Sequence, residues 1–260
     1  MALLTVAVPS YNSEDHLEQC LDSLLPGGAD LEVIIINDGS TDGTEAIALT
    51  YVEKYPGIFR LINQENGGHG AGINRALKEA TSPWFKVLDS DDHFDETALR
   101  NVLEQLRIWY EGKIIPDLIL TNYVYDHHSY VDGVHVVQHK PIRYKNMFKE
   151  GIFQNWDDMG LPRLDQLLMM HAMIYRTTLL RDEVQLQLPH HTSYEDNLYV
   201  CVPLPYVKHI RYLNEDLYRY FIGRPDQSVN LSSLVKKVDN QLLVTREFLH
   251  AFDWDNLEPP

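Results

Sequence analysis

The sequence predicts an α/β fold with a mostly parallel central sheet flanked by helices in three layers, and three observations support this. In the first hundred residues, four apolar runs alternate with helix-like stretches, as expected when crossover helices connect parallel strands. Each apolar run ends in a polar cluster rich in Asn, Asp, Ser or Gly. The chain has 260 residues, of which 44% are hydrophobic, so it can bury the core of one large domain.

The first two rounds of strand and helix are read from apolar spacing. An apolar run at residues 3–8 ends in a proline and predicts the first strand. Ser13 is a suitable N-cap for a helix over residues 14–25, where leucines recur at helical spacing. A second strand at residues 33–36 leads through an Asn-Asp-Gly-Ser turn into a helix over residues 44–54.

Two further rounds follow the same plan. A third strand is predicted at residues 58–62, and a glycine-rich loop at residues 66–70 leads into a helix that ends near residue 80. The fourth strand, at residues 84–88, is followed at once by an acidic turn at residues 89–92. In open parallel sheets, ligands bind beyond the carboxyl ends of the strands. All four polar clusters are therefore expected beside one crevice.

The second half is less regular. A helix is predicted over residues 95–110, and a stretch rich in Tyr, His and Val at residues 123–140 suggests several short strands. Residues 231–252 predict one or two closing helices. Single strands are predicted at residues 118–120, 172–175, 209–212 and 218–221.

Charge and cysteine content limit the classes of partner and compartment. The chain has 22 basic and 38 acidic residues, and an acidic surface repels phosphate backbones, so we expect no nucleic-acid partner. Its two cysteines, Cys20 and Cys201, are expected to be reduced thiols. The N-terminus lacks a basic flank and no run reaches the roughly 18–20 apolar residues of a membrane span. We expect a cytoplasmic protein, with peripheral contact at the inner face of the membrane left open.

The strongest local signal is the acidic turn Asp89-Ser90-Asp91-Asp92. Three carboxylates in four residues repel one another unless water, amides or a cation compensates them. Their oxygens suit Mg²⁺ or Mn²⁺, which can bridge carboxylate and diphosphate groups. An isolated turn of this kind is more often an ordinary helix N-cap. Its place at the end of the fourth strand favours the metal site.

Three other clusters have a weaker signal. Tyr11 offers a flat face and Asp38 an acceptor to a nucleobase, although each also suits an ordinary turn. The glycine loop has the wrong spacing for a dinucleotide fingerprint, because Ile73 stands where its last glycine is required. Glu195 and Asp196 are paired carboxylates, equally suited to general-base catalysis and to the N-terminus of a helix. The twelve histidines lack a zinc-ligand pattern, so zinc is disfavoured.

Taken together, these motifs resemble family 2 glycosyltransferases of the GT-A fold, over roughly residues 3–230. Their order and spacing match, although each piece is short. The matching pieces are Val8-Pro9-Ser10-Tyr11-Asn12, Asn37-Asp38-Gly39-Ser40-Thr41-Asp42, Asn66-Gly67-Gly68 with Asn74, Leu88-Asp89-Ser90-Asp91-Asp92, Glu195-Asp196, Tyr218-Arg219-Tyr220 and Gln227-Ser228-Val229.

The resemblance implies a set of roles. Asp91, with Asp89 assisting, would hold the metal, Mg²⁺ or Mn²⁺, on the donor diphosphate. Asp196 would be the base that deprotonates the acceptor hydroxyl, with Glu195 orienting the acceptor or that base, and transfer would invert the anomeric configuration. The nucleotide-sugar site would be lined by Pro9, Tyr11, Asn12, Glu14, Asp38, Gly67, Gly68, Asn74, Asp89 and Ser90.

The resemblance also implies a domain organisation and partners. Residues 1–230 would form the GT-A domain, with a nucleotide-sugar-binding half at 1–115 and an acceptor-binding half at 116–230, and residues 231–260 a C-terminal helical extension. The donor would be a nucleotide-sugar, UDP-linked, and the acceptor a glycan or a lipid-linked sugar in polysaccharide or cell-surface glycan synthesis. A homodimer is left open.

The chain departs from the family pattern at one position, and two other functions compete with sugar transfer. Relatives often carry Arg where this chain has Ile73; His69 or Arg75 could substitute, or the contact could be absent. A sugar nucleotidyltransferase also needs an acidic metal site, but residues 9–14 contain no Lys or Arg to hold a triphosphate. A non-catalytic nucleotide-sugar-binding module would not need the intact acids.

Overall fold

A computed structural model describes residues 1–131, 134–223 and 235–252 of the chain. The described residues form one sheet of nine strands. The strands are β1 (Leu4–Ser10), β2 (Leu31–Asp38), β3 (Phe59–Gln64), β4 (Trp84–Val87), β5 (His93–Phe94), β6 (Leu118–Val131), β7 (Val134–Ile142), β8 (Met173–Arg176) and β9 (Ile210–Ile222).

Helices flank this sheet and connect its first strands. The α-helices are α1 (Leu17–Asp22), α2 (Thr44–Lys54), α3 (His69–Glu79), α4 (Glu96–Glu111), α5 (Asp196–Cys201) and α6 (Val238–His250). Shorter helical turns lie at Leu25–Asp30, Trp156–Asp158, Met170–Ala172, Leu179–Glu183 and Leu204–Tyr206.

The first half of the sheet is parallel, as predicted. β1 pairs with β2 and β4, and β2 pairs with β3, all in parallel register. Every residue of β1 is buried, which is the pattern of a central strand covered on both faces. α3 packs on β1 and β2. Because these strands are parallel, their carboxyl ends meet at one edge, and there the site forms.

The second half makes the sheet mixed rather than mostly parallel. The sheet order is β3-β2-β1-β4-β8-β6-β9-β5, and β7 pairs with β6. β8 runs antiparallel to both β4 and β6, and the β6–β7 and β5–β9 pairs are also antiparallel. The β6–β9 pair is parallel. β6 and β7 form a hairpin, whereas α4 lies between β5 and β6 and α5 lies between β8 and β9.

Two groups of predicted short strands prove to be long ones. The stretch predicted as several strands at 123–140 is a single hairpin of β6 and β7. The strands predicted at 209–212 and 218–221 are one strand, β9. The polar residues between them look like a turn in the sequence, but Asn214 and Asp216 both accept hydrogen bonds from Asn122 on β6. Their polarity reflects pairing between strands.

The first helix is shorter than predicted. α1 begins at Leu17, and no side chain caps it. The Ser13 hydroxyl lies 2.7 Å from the hydroxyl of Ser90, so Ser13 links the end of β1 to the acidic turn instead of capping a helix. The second predicted helix, 44–54, is confirmed to the residue as α2.

The C-terminal region is described in part. α6 lies within the predicted helical stretch, packs against α5 and buries Val244. The motif at Gln227-Ser228-Val229 and the proposed boundary at residue 230 lie outside the described residues. Within the described ranges, no helix combines the length and apolar character needed to cross a membrane. Cys20 is buried and Cys201 half-buried, and both are free.

Candidate active site

A cavity of about 740 Å³ opens at the carboxyl ends of β1, β2 and β4. Residues from the second half of the chain close its other side. The sequence-predicted residues that line it are Pro9, Tyr11, Asn12, Asp38, Gly68, Asp89, Ser90, Asp91, Glu195 and Asp196. The fold therefore brings most of the predicted site together.

The end of β1 forms one wall. Tyr11 is 54% exposed at the cavity mouth, so its ring is available for stacking. Asn12 has a left-handed backbone, with φ of 49°, and its Oδ1 accepts a hydrogen bond from Thr41 N at 2.8 Å. Asn12 thus ties the end of β1 to the loop after β2.

Asp38 organises the glycine loop. Its Oδ1 accepts from Gly67 N at 2.9 Å and its Oδ2 from Gly68 N at 2.8 Å. Gln64 Nε2 also donates to Oδ1, at 2.6 Å. Oδ2 therefore accepts one bond in the structure, and a carboxylate oxygen can accept two. Asp38 can hold the loop and still accept a hydrogen bond from a ligand.

Gly68 is required by its backbone. Its φ is 85°, a left-handed conformation that other residues adopt at a cost. A Cβ at this position would lie 2.9 Å from His191 N. The main chain of His191 comes this close because its N–H donates to Gly67 O at 2.8 Å. The glycine loop thus fixes a segment of the second half beside the cavity.

The acidic turn is fastened to β9. Tyr218 OH accepts from Asp89 N at 3.2 Å and donates to Asp92 Oδ2 at 2.7 Å. Phe221 N donates to Asp92 Oδ1 at 2.8 Å. Burial and the charges of Asp91 and Asp89 raise the pKa of Asp92 well above its ordinary value. Asp92 therefore anchors the turn to β9, while Asp89 and Asp91 line the cavity.

His69 connects the two acidic groups of the site. Its Nε2 lies 2.9 Å from Asp89 Oδ1 and its Nδ1 lies 2.7 Å from Glu195 Oε1. Burial alone would lower the pKa of His69, but its bonds to the two carboxylates outweigh this and raise it well above its ordinary value. His69 is thus a cationic bridge between the strand-end turn and the start of α5.

Glu195 and Asp196 have different surroundings. Glu195 is 4% exposed and bonded to His69. Asp196 lies at the start of α5 and lines the cavity. Burial, followed by the charge of Glu195, raises the pKa of Asp196 above its ordinary value. Both carboxylates line the cavity, and of the two Glu195 is the one bonded to His69.

Two predicted donor residues point elsewhere. Glu14 Oε2 accepts from Gly43 N at 2.6 Å, before α2. Asn74 exchanges two 2.9 Å hydrogen bonds with the main chain of Leu188. Both side chains therefore position loops. Ile73, where relatives often have Arg, is fully buried.

Two residues are candidates to replace the arginine that relatives often carry at position 73. His69 lines the 740 Å³ cavity, whereas Arg75 pairs with Glu79 at 3.2 Å and lines a neighbouring cavity.

The sequence reasoning missed His171. It is 4% exposed, its Nε2 lies 3.6 Å from Asp89 Oδ2, and its Nδ1 has no hydrogen-bond partner. Among the described residues, one group of three or more His, Cys, Asp or Glu side chains has ligand atoms close enough to share an ion: Asp89, Asp92 and His171. A lone histidine in an apolar stretch gives no sequence signal of this kind.

The side chains of Asp89, Asp92 and His171 are suitable ligands for a divalent cation. Carboxylate oxygens and an imidazole nitrogen are metal ligands, and the ligand atoms of these three residues lie within 4.8 Å of one another. Six other histidines could suggest zinc, and none belongs to a group of this kind among the described residues: His127, His128, His135, His139, His190 and His191.

Comparisons with known proteins agree with this geometry. Residues 5–149 match the family model for glycosyl transferase family 2. The chain is 39% identical over 101 residues to the uncharacterized glycosyltransferase YibD of Escherichia coli, a match that covers 38% of this chain and 29% of that relative. An uncharacterized glycosyltransferase of Mycoplasma pneumoniae is 26% identical over 251 residues, covering 95% of this chain and 77% of the relative.

A solved structure extends the likeness to the whole fold. S. aureus TarS 1-349, in complex with UDP-GlcNAc, superposes with a TM-score of 0.68 at 25% identity, covering 99% of this chain and 68% of TarS 1-349. The predicted α/β GT-A fold is confirmed. The aligned region spans less than a third of the length of YibD, because only 29% of that protein is covered.

Proposed function

Because the chain belongs to glycosyl transferase family 2, we propose that it transfers a sugar from a UDP-sugar to a hydroxyl of a glycan or lipid-linked acceptor, with inversion. One observation carries the proposal: the acidic turn after β4 and the carboxylate of Asp196 face a single cavity. The first can bind a cation and diphosphate, and the second can accept a proton.

The donor end is proposed to lie along the first half. Tyr11 would stack on the base, and the free lone pair of Asp38 Oδ2 would accept a base N–H. Asp91 and Asp89 would hold Mg²⁺ or Mn²⁺. When bound, this cation would neutralise charge on the leaving diphosphate. UDP is preferred as the nucleotide because the similar TarS structure contains UDP-GlcNAc.

The acceptor end is proposed to lie beside α5. Asp196 would take the proton of the acceptor hydroxyl, whose oxygen attacks the anomeric carbon as the bond from that carbon to the diphosphate oxygen breaks. A raised pKa makes Asp196 a stronger base than an ordinary aspartate. A single displacement of this kind inverts the anomeric centre. Glu195, held by His69, would keep Asp196 or the acceptor in place.

The wider setting is also part of the proposal. Residues 1–115 would be the nucleotide-sugar half and 116–230 the acceptor half, with residues 231–260 as a helical extension. The product would be a polysaccharide or cell-surface glycan made in the cytoplasm, at the inner face of the membrane. Support for the two halves comes from the cavity, which residues of both line.

The test is to incubate the protein with UDP-linked hexoses and N-acetylhexosamines, Mn²⁺ and a panel of glycan acceptors. We expect acceptor-dependent release of UDP with one donor, and a β-linked product from an α-linked donor by NMR. An α-linked product would contradict inversion. Formation of a sugar nucleotide from a sugar phosphate and a nucleoside triphosphate would favour a nucleotidyltransferase instead.

A further inference from the structure

His171 reaches the acidic turn from the second half of the chain. It lies in the turn Met170–Ala172, directly before β8. β8 is antiparallel to β4, with Phe85 opposite Tyr175. Continuing that register beyond the last pair brings His171 opposite Asp89, so the fold itself delivers an imidazole to the end of β4.

The distance between the two side chains suits a shared ion better than a hydrogen bond. His171 Nε2 lies 3.6 Å from Asp89 Oδ2, whereas an N–H···O bond spans about 2.7–3.2 Å. Two ligand atoms bonded to one cation at roughly 2.1–2.2 Å lie about 3.0–3.6 Å apart at the usual bond angles. The observed spacing lies at the upper end of that range.

The ring is buried and fixed, yet incompletely bonded. It stacks on Tyr220 at 4.7 Å between centroids and meets the edge of Tyr218 at 4.4 Å. Its Nδ1 has no hydrogen-bond partner, although buried polar atoms in proteins are nearly always bonded. A side chain more than nine-tenths buried thus keeps an unused donor or acceptor at the wall of the cavity.

We propose that His171 is a ligand of the divalent cation that binds with Asp89, and that its nitrogen makes the site prefer Mn²⁺ to Mg²⁺. Mg²⁺ binds almost entirely through oxygen atoms, whereas first-row transition ions accept imidazole nitrogen readily. The inference rests on the metal site of the proposed function. It adds a ligand from outside the acidic turn, supplied by the acceptor half of the chain.

The test is pulsed electron paramagnetic resonance of substoichiometric Mn²⁺ bound to the full chain, with and without UDP. We expect nuclear modulation from a directly coordinated nitrogen, and we expect it to change when the histidines carry ¹⁵N. His171→Gln should abolish the modulation and weaken Mn²⁺ binding by about tenfold or more, since even partners that only orient ligands are worth roughly 10–100-fold. Circular dichroism confirms that the variant is folded.

His69→Gln is the matched control, because His69 touches the same carboxylate but has both ring nitrogens bonded. It should retain the nitrogen modulation. Loss of the signal in His69→Gln with retention in His171→Gln would overturn the proposal, as would a wild-type spectrum without histidine nitrogen or a protein that binds no Mn²⁺. The labelled wild-type protein gives an answer even if His171→Gln fails to fold.

A second readout is ion preference. The ratio of Mn²⁺ to Mg²⁺ affinity, measured by competition calorimetry, should fall in His171→Gln and stay unchanged in His69→Gln. An equal ratio in the wild type and His171→Gln would contradict the selectivity claim. Sugar transfer is not an observable in either experiment, so failure of the proposed function and failure of this inference remain distinguishable.

Discussion

In the first half of the chain, the residues that line the cavity follow parallel strands: Tyr11 comes after β1, Asp38 ends β2 and Asp89 comes after β4. In the second half, Tyr220 on β9 lines the same cavity, and the other lining residues come from short turns, loops and the start of α5. His171 lies in a single helical turn, and Asp196 begins a six-residue helix. The cavity wall from the first half is formed by the ends of the sheet strands. The wall from the second half is held in place by hydrogen bonds to the first.

Several of those bonds involve single side chains. His69 links Asp89 to Glu195, Asn74 holds the main chain of Leu188, and Lys86 on β4 donates to His171 O at 2.7 Å. The first wall therefore depends on fold topology, whereas the second wall depends on individual side chains that reach it. Substitutions should therefore affect the two sides differently.

The largest expected effect is at the acceptor side. Asp196→Asn should lower transfer by about 10²–10⁴-fold, since an amide cannot accept the proton, and should leave UDP affinity unchanged, because the donor wall does not need Asp196. Turnover numbers and calorimetry measure the two effects. Asp165→Asn, an exposed residue paired with Arg163, is the matched control. Near-normal turnover of Asp196→Asn would remove it as the base.

On the donor side, Asp91→Ala should abolish the part of UDP affinity that depends on Mn²⁺ while the fold is retained. The carboxylate is proposed to hold the cation that meets the diphosphate. Titrations of UDP with and without Mn²⁺ should differ in the wild type and coincide in the variant. An equal gain from Mn²⁺ in both proteins would refute the role of Asp91.

The bond from Lys86 to the main chain of His171 joins the two halves, and the pH dependence of stability tests its environment. Burial lowers the pKa of Lys86 to about 7, below the value near 10.4 of an unfolded lysine. Between these two pH values the folded chain holds fewer protons than the unfolded chain, so stability rises with pH. Lys86→Met removes this dependence. The stability of the wild type relative to Lys86→Met should therefore increase by a few kcal/mol across this range, at about 1.4 kcal/mol per pKa unit.

Urea unfolding at several pH values from about 7 to about 9.5 measures this difference. A constant difference across the range would show that the Lys86 ammonium is not the group responsible.

The smallest effect concerns the glycine loop. Gly68→Ala should destabilise the chain by about 1–3 kcal/mol, because its left-handed φ and the nearby His191 N leave no room for a Cβ. UDP affinity should fall as well. Gly57→Ala is the control, since a Cβ there meets nothing within 4 Å. Equal unfolding midpoints for the two variants would contradict a strained role for Gly68.

The difference between the halves also explains what the sequence could predict. Periodic apolar runs that end in polar clusters identify β1 to β4 and the acidic turn, because local spacing and strand-end position are both visible in the chain. The sequence predicts two strands where the structure has β9, because Asn214 and Asp216 look like turn residues until their partner Asn122 is known.

The same limit applies to site residues. Asp89 follows a recognisable strand, but His171 gains its meaning from the β4–β8 register, which no local pattern encodes. Glu14 and Asn74 match the family pattern by position, yet their side chains bond to the main chain of Gly43 and Leu188. Position along the sequence does not determine which way a side chain points.

We propose that the acidic turn after β4, residues 89–92, binds a divalent cation that also contacts the donor diphosphate. Crystals grown with UDP and Mn²⁺, measured at the manganese absorption edge, test it most directly. We expect an anomalous peak between the carboxylates of Asp89 and Asp91 and the diphosphate oxygens. Bound UDP with no peak at that turn, or with manganese held elsewhere, would contradict it.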